Sequence, residues 1–393
     1  MKILHIHDKE HPHGGVQAYL RNLRAAQARV GHHPVMLRLL KGAAAGAEGK
    51  DELIGGTAVA PFGVGAPGRK LLNLVRAENP DVVHVHSVFT RLGPGVLDAL
   101  RHLKPTVYTM HDIRPLFAWG LQDRALRDSP ELARWIRGSI EAERPSRWLK
   151  RCLLAPSRRL LLTVYRRLDR MIVANALFRD ELQRRGFANG RVALIPLFVA
   201  PSPPSSDPSA SDPIVLFVGR LSEEKGILPF IRMLRLLRGE AWRALVVGDG
   251  PLRGEAGRLV ASLSLEPRVR FVDSVPSAEL GRIYASCRLL VVPSLIPENF
   301  ALVGVEAMAA GRPVVGFRQA GITEWLRDGV DGFLVAAGDL GALADRTQAL
   351  LDSPELARRL GRAGQAIARE EFAPERHLAL LDAVYEQVVR RPA

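Results

Sequence analysis

Short apolar runs alternate with amphipathic stretches along almost the whole chain, and that alternation sets the first expectation for its fold. Before residue 200, MKILHIH, HHPVMLRL, DVVHVHS, PTVYTMHD and RMIVAN read as short buried strands, separated by helical patterns such as those over 16–30 and 69–78. After residue 213, PIVLFVG, RALVVGDG, VRFVD, RLLVVPS, RPVVGF and DGFLV alternate with amphipathic helices in the same way. Strand and helix taking turns throughout predicts α/β units, each a parallel sheet with helices on both faces. Between the two sets lies APSPPSSDPSASDP, residues 200–213, whose five prolines and five serines offer nothing to bury. It reads as a linker between a domain over 1–199 and another over 214–372. Two such units leave a cleft between them, with ligands expected at the carboxyl ends of the strands.

Composition agrees with that division and removes several function classes. At 393 residues the chain is too long for one ordinary hydrophobic core. No run approaches the roughly 18 consecutive apolar residues of a membrane span, since the longest, such as VLFVG and LLVVPS, are strand-sized. MKILHIHDKE enters a strand at once and lacks the apolar segment and cleavage site of a signal peptide, so a cytoplasmic protein is expected. Cys152 and Cys287 lie far apart and form neither a disulfide framework nor a metal-ligand spacing.

Charge is divided unevenly. Residues 1–200 hold 32 Lys and Arg against 17 Asp and Glu, whereas residues 201–393 hold 23 against 24, so all of the net +14 sits in the first half. Within it, residues 144–168 carry eight basic side chains and no acidic one, among them Arg147, Lys150, Arg151, Arg158 and Arg159, interleaved with Trp148 and several leucines. This pattern fits a surface for an anionic partner, either a membrane's inner face or an acceptor. Nucleic acid is the weaker reading, because Trp148 and Tyr165 are too few aromatics for a stacking platform.

Candidate chemistry collects at strand ends. In VGRLSEEKG, residues 218–226, Arg220 and Lys225 leave the carboxyl end of a strand, where two cations can neutralise a diphosphate, Arg bidentately and Lys as a point charge. Taken alone, such a pair is more often a solvated loop. In PENFALVGVEAMAAG, residues 297–311, Glu298 sits in a loop and a helix is expected to begin near Phe300, offering its first N–H groups as an anion site. Glu306 lies eight residues after Glu298, about two helical turns along. Carboxylates there suit sugar and ribose hydroxyls; the other reading is helix-end and surface acids, yet an acid inside ALVGVEAMAA is either exposed or employed. Gly14 and Gly15 precede a helix and let backbone approach a ligand closely, as many ordinary turns also do. His111 ends the strand of TMHD, where a capping or core histidine is as good a reading as a site. His5, His7, His11 and His13 crowd the first strand and loop, while His84 and His86 alternate on another. No carboxylate or cysteine completes a ligand set, so no metal is expected, and these histidines read as polar residues at strand ends lining a cleft.

The order GRLSEEKG, VVGDGP, VRFVDSVP, PENFALVGVEAMAAGRPVV and DGVDGFLV resembles the C-terminal domain of the retaining glycosyltransferases of family 4, over nearly all of residues 214–370. The N-terminal half is similar to the same family more loosely. The resemblance implies two Rossmann-like domains facing across a cleft, the GT-B architecture, with a C-terminal helix over 373–393 crossing back toward the first domain. It implies a donor site in which Arg220 and Lys225 bind the diphosphate, Glu298 the transferred sugar's hydroxyls and Glu306 the ribose. Asn299 and the backbone amides of Phe300, Ala301, Leu302 and Val303 would border the phosphates. Gly248, Asp249 and Gly250, with the Ser274–Val275 turn, would border the base, and Gly14, Gly15 and His111 would face the donor. The residues it makes catalytic are His111, Glu298, Arg220 and Lys225. Two departures stand out: Leu197 and Phe198 replace the family's Asn-Gly pair after VALIP, and Ala301 stands where glycine is common, which would tighten the room near the phosphates. Residues 115–167 have no clear match and are expected to carry acceptor choice, membrane contact, or both.

The reaction implied is transfer with retention from a nucleotide diphosphate sugar, UDP- ahead of GDP-, to an acceptor hydroxyl, with no metal and no other cofactor. A lipid-linked saccharide of bacterial surface polysaccharide is the expected acceptor, reached by a protein peripheral at the inner membrane face. No carboxylate stands out for a double displacement, so a front-face reaction is expected, the leaving phosphate helping to deprotonate the acceptor. The alternatives are a sugar-phosphate synthase or nucleotide-sugar epimerase on the same scaffold and, from another class, a basic nucleic-acid-binding protein.

Overall fold

A computed structural model describes residues 1–7, 15–40, 52–55, 64–86, 94–112, 160–200 and 212–390. The chain forms two compact units, one of Met1–Pro196 with His377–Ala393 and the other of Leu197–Arg376.

The first unit is built on seven parallel strands: β1 (Lys2–His7), β2 (His33–Leu40), β3 (Glu52–Gly55), β4 (Val82–His86), β5 (Thr106–Thr109), β6 (Arg170–Val173) and β7 (Val192–Leu194). Their order is β3-β2-β1-β4-β5-β6-β7. Leu4, Ile6, Val83, Val85 and Tyr108 from the strands pack with Leu71, Val75, Leu97 and Leu100 from the covering helices Ala66–Glu78 and Pro94–Leu103. The helix signals are local. Ala66–Glu78 has proline in its first turn and stops at Asn79 in the left-handed conformation, whose N–H donates to the Val75 carbonyl. Ala176–Arg184 is capped by Asn175, whose side chain accepts from the Phe178 N–H.

The second unit carries six parallel strands, β8 (Ile214–Val218), β9 (Arg243–Val247), β10 (Val269–Val272), β11 (Leu289–Val292), β12 (Val314–Phe317) and β13 (Gly332–Val335), in the order β10-β9-β8-β11-β12-β13. Val215, Phe217, Val246 and Val291 meet Ile227, Phe230, Ile231 and Leu343 in its core. The unit starts ahead of the Pro/Ser-rich stretch because Leu197, Phe198 and Val199 are buried, and the Val199 N–H donates to the Phe372 carbonyl at 3.2 Å. The final helix, Pro374–Val389, belongs to the first unit from His377 onward. Among the described residues, no helix is long and apolar enough to cross a membrane.

Each sheet reverses its strand order once, between β1 and β4 in the first and between β8 and β11 in the second. In open parallel sheets the space beyond the carboxyl ends at such a reversal is where ligands fit.

Candidate active site

In the second unit the reversal point is occupied by the two predicted loops. The segment after β8 runs against the segment after β9: the Gly219 N–H donates to the Val247 carbonyl, the Leu221 N–H to Asp249, and the Leu252 N–H back to Leu221, at 2.9–3.0 Å. A Cβ at Gly248, whose φ is +138°, would collide with the Gly219 carbonyl, so glycine here serves the close approach of the two loops. Gly226, with φ +72°, plays the same part against the Pro293 carbonyl at the end of β11. The Leu295 N–H donates to the Glu224 carbonyl at 3.0 Å, and the two loops lie side by side.

That arrangement delivers Lys225 to Glu298. Lys225 Nζ donates to both carboxylate oxygens, at 2.7 and 2.8 Å, and the Ser294 hydroxyl donates to Oε1 at 2.7 Å. Glu298 is 9% exposed, whereas the Lys225 side chain keeps 34% of its surface. Lys225 has three protons and spends two on Glu298, so its head can still donate to a ligand. Arg220 is exposed, and among the described residues no carboxylate is paired with it. Glu306 is half-buried and accepts from the Tyr284 hydroxyl at Oε2, 2.9 Å. Burial raises the pKa of its carboxyl, and the Tyr284 hydrogen bond opposes that rise.

The helix expected near Phe300 begins instead at Leu302. Ala301 stands before it with φ 55° and ψ 60°, a left-handed conformation that cannot continue a right-handed turn. The position therefore suits glycine for its backbone, rather than for the room a side chain takes up. Phe300 is buried, with its carbonyl accepting from Trp325 Nε1 at 2.6 Å, and the first N–H groups of the helix are those of Leu302 and Val303. Asp249 and Ser274 are exposed, and Gly250, Val275 and Asn299 half-buried.

The first unit differs in kind. His5 and His84 lie in the middle of β1 and β4, in register with each other, and His7 is in register with His86. All four are buried in a hydrogen-bonded cluster; His7 and His86 end their strands as expected, whereas His5 and His84 lie within theirs, and for those two the strand-end expectation is corrected. His5 Nδ1 meets His86 Nε2 at 3.0 Å, His5 Nε2 meets Gln27 Oε1 at 2.8 Å, and His86 Nδ1 meets His111 Nε2 at 3.3 Å. His84 bonds Tyr385 through Nδ1 and Thr109 through Nε2, both at 2.7 Å. Tyr19 bonds His377 at 2.9 Å, whose Nδ1 bonds the Pro196 carbonyl at 2.8 Å. Burial drives His5 and His377 down to about 4. It also pushes His84 and His86 well below the ordinary range, with neighbouring imidazoles adding to the effect. Ring nitrogens of His5, His84 and His86 come within 4.8 Å of one another, and both nitrogens of His84 bond hydroxyls, those of Tyr385 and Thr109.

His111, 7% exposed just past β5, is the predicted residue that joins this network. Gly15 opens the helix Gly15–Arg29. Gly14, His11, His13 and the basic residues Arg147, Lys150, Arg151, Arg158 and Arg159 lie outside the described residues. Ser294 and Tyr284 were not singled out from sequence, although Ser294 ends the strand motif LLVVPS four residues before Glu298. Tyr284 carries no local signal, since it reaches Glu306 from another helix, Ser277–Ser286.

Residues 13–202 match the family described as Glycosyltransferase Family 4, and residues 212–353 match Glycosyl transferases group 1. The chain belongs to these glycosyltransferases. It is similar to the 2-deoxystreptamine glucosyltransferase of Streptomyces kanamyceticus, 31% identical over 46% of this chain and 47% of that one. The chain spans less than half the length of the first curated relatives it matches. Among solved structures it resembles sucrose-phosphate synthase from Thermosynechococcus elongatus, with a TM-score of 0.74 at 22% identity over 98% of both chains. Anabaena Alr3699/HepE, solved in complex with UDP and glucose, gives 0.71 at 20% identity over 99% of both. These likenesses show the fold.

Proposed function

We propose that the chain is a retaining, metal-independent glycosyltransferase, moving a sugar from a nucleotide diphosphate sugar to an acceptor hydroxyl. The observation that carries this reading is Glu298, held by Lys225 and Ser294 at the reversal point of the second sheet, with Arg220 exposed on the adjoining loop. A fixed, nearly buried carboxylate suits the hydroxyls of a transferred sugar, and two cations with the start of the helix Leu302–Ala309 suit a departing diphosphate. Those groups take the part of a divalent metal. Glu306, steadied by Tyr284, serves the ribose. A UDP-sugar is favoured over a GDP-sugar, consistent with the UDP held by the Anabaena protein of the same fold. The acceptor is a lipid-linked saccharide of surface polysaccharide assembly, met at the inner membrane face by the basic first half.

A panel of UDP-, GDP-, ADP- and dTDP-sugars in a thermal shift assay tests the donor assignment, because a ligand that binds only the folded state raises its melting temperature. A UDP-sugar should give the largest shift, and Glu306→Ala should abolish it. An undiminished shift in the mutant defeats the ribose assignment. Transfer should survive EDTA and give a product with the donor's anomeric configuration, read by NMR; loss of transfer in EDTA defeats the assignment of Arg220 and Lys225. A second reading, transfer to a phosphorylated sugar, is favoured by the likeness to sucrose-phosphate synthase. Offering sugar phosphates and lipid-linked saccharides in parallel separates the two.

A further inference from the structure

The stretch between β11 and the helix Leu302–Ala309 is braced by the loop after β12, residues 318–326. Gln319 Nε2 donates to the Leu295 carbonyl at 3.2 Å, the Glu298 N–H to the Ala320 carbonyl at 2.9 Å, and Trp325 Nε1 to the Phe300 carbonyl at 2.6 Å. The three ties fall on Leu295, Glu298 and Phe300, on either side of the carboxylate that Lys225 and Ser294 hold.

Trp325 makes the tie with the most consequence for shape. Its side chain is fully buried, where an indole N–H without an acceptor forfeits the hydrogen bond it had in water. The Phe300 carbonyl needs that donor in turn. An earlier helix start would send the Gly304 N–H to the Phe300 carbonyl, but here it donates to the Ala301 carbonyl at 2.9 Å, and Ala301 is left-handed. The indole supplies the missing donor. A Cβ on Gly304 would stand 1.9 Å from the Trp325 ring, so the first turn of the helix rests directly on the indole.

We propose that Trp325 is a positioning residue for the nucleotide sugar. By holding the Phe300 carbonyl it keeps Ala301 left-handed, and with it the placement of the Glu298 carboxylate relative to the N–H groups of Leu302 and Val303. Alanine on its own favours the right-handed form. Turning Ala301 right-handed would carry the helix start back toward Phe300, hand the Phe300 carbonyl to Gly304 and leave the indole N–H without its acceptor. The donor's second phosphate registers the difference, since it is the group assigned to Arg220, Lys225 and the helix start. Trp325, being fully buried, acts only through the backbone it holds. This rests on the reading of those groups as the donor site.

Isothermal titration of the full-length protein with UDP, and with UMP, which lacks the second phosphate, tests the role. The unaltered protein should bind UDP more tightly. Trp325→Phe keeps a ring against Gly304 and removes the N–H; it should weaken UDP about tenfold, the size of one lost hydrogen bond, and UMP less than about twofold. A merely structural indole would lower the melting temperature and leave the ratio of the two affinities alone. Adding Ala301→Gly, which takes the left-handed form without help, should bring UDP back to within about threefold of the unaltered protein. The same coupling is read in reverse without any substitution, and so survives a variant that folds poorly: saturating UDP should slow exchange of the Trp325 indole N–H about tenfold, and UMP should not. An unchanged UDP-to-UMP ratio in folded Trp325→Phe, a loss that glycine leaves in place, or an indole whose exchange ignores UDP overturns the positioning role and leaves the donor site standing. If the unaltered protein binds UDP no more tightly than UMP, the donor reading itself fails and the role of Trp325 falls with it.

Discussion

The two units place polar side chains at equivalent points of two similar sheets by opposite physical means. At the β1–β4 reversal the polar groups are buried, burial holds His5, His84 and His86 neutral, and the cost of leaving water is met by hydrogen bonds: Gln27, His5, His86 and His111 on one branch, Tyr385, His84 and Thr109 on the other. At the β8–β11 reversal the groups are charged and keep a wet side, with Lys225 a third exposed and Arg220 open to solvent. A charged site need not satisfy every group internally, because water or a ligand does so. A buried neutral network must, and every member then depends on the protonation of its neighbours.

The sharpest way to separate the two is acid. His5 and His377 titrate at about 4 in the folded unit against about 6.5 when unfolded. Both pKa values are depressed, so the stability they support is complete above pH 6.5 and is lost as pH falls from 6.5 toward 4, where only the unfolded state gains protons. Each histidine accounts for about 3 kcal/mol across that window. Hydrogen exchange at Ile6 and Val85, compared with Phe217 and Val291, should show protection of β1 and β4 falling by several kcal/mol between pH 7 and 4.5 while β8 and β11 change less. Equal losses in the two sheets would remove the distinction.

Next in size is Lys225→Met, which takes from Glu298 the cation that donates to both of its oxygens. The carboxylate keeps Ser294 but loses its charge partner, and the diphosphate loses a cation. Removal of one such electrostatic contact lowers kcat/KM by about a hundred- to a thousandfold. The second unit should stay folded, since the lysine head is partly solvated. A fall below tenfold, with the fold intact by circular dichroism, would mean that Lys225 serves the loop and not the reaction.

How much of this could be read from sequence differs between the units for the same reason. Strands were legible in both, because runs such as VVHVH and LLVV are buried on both faces; only β3, four residues long, gave no pattern. Charged candidates were legible too, since Arg220, Lys225 and Glu298 in loops after strands, and Glu306 within a helix, stand out against apolar surroundings. Their partners were not. Ser294 and Tyr284 are ordinary residues until the fold brings them to Glu298 and Glu306, and Tyr385 lies 301 positions from the His84 it bonds. A neutral network leaves almost no mark, because Gln27, Thr109 and Tyr385 look like any helix or strand residue.

Tyr284→Phe tests the second unit more gently. The hydroxyl supports the carboxylate of Glu306 against the burial that raises its pKa. Without it the pKa rises further, and the acid limb of donor binding should move to higher pH. One hydrogen bond to a charged group corresponds to roughly tenfold in donor Kd near neutral pH. Isothermal titration with the favoured nucleotide sugar at several pH values reads both. An unshifted acid limb would show that Glu306 does not meet the donor.

The smallest effect concerns backbone strain. Ala301 holds φ 55° immediately before the helix Leu302–Ala309, a conformation costing a non-glycine residue roughly 1–2 kcal/mol. Ala301→Gly removes that cost but enlarges the freedom of the unfolded chain, which takes back roughly 0.5–1 kcal/mol. The net expectation is a stabilisation of about 0.5–1 kcal/mol, read as a higher urea midpoint with an unchanged slope. Because the left-handed residue sets where the helix N–H groups of Leu302 and Val303 begin, glycine should keep their direction and leave donor affinity within about twofold. Stabilisation with unchanged affinity would mark the strain as a property of the loop alone. Destabilisation would mean that the alanine methyl makes a contact worth more than the strain it imposes, and that the charged site of the second unit, like the neutral one of the first, depends on close packing around it.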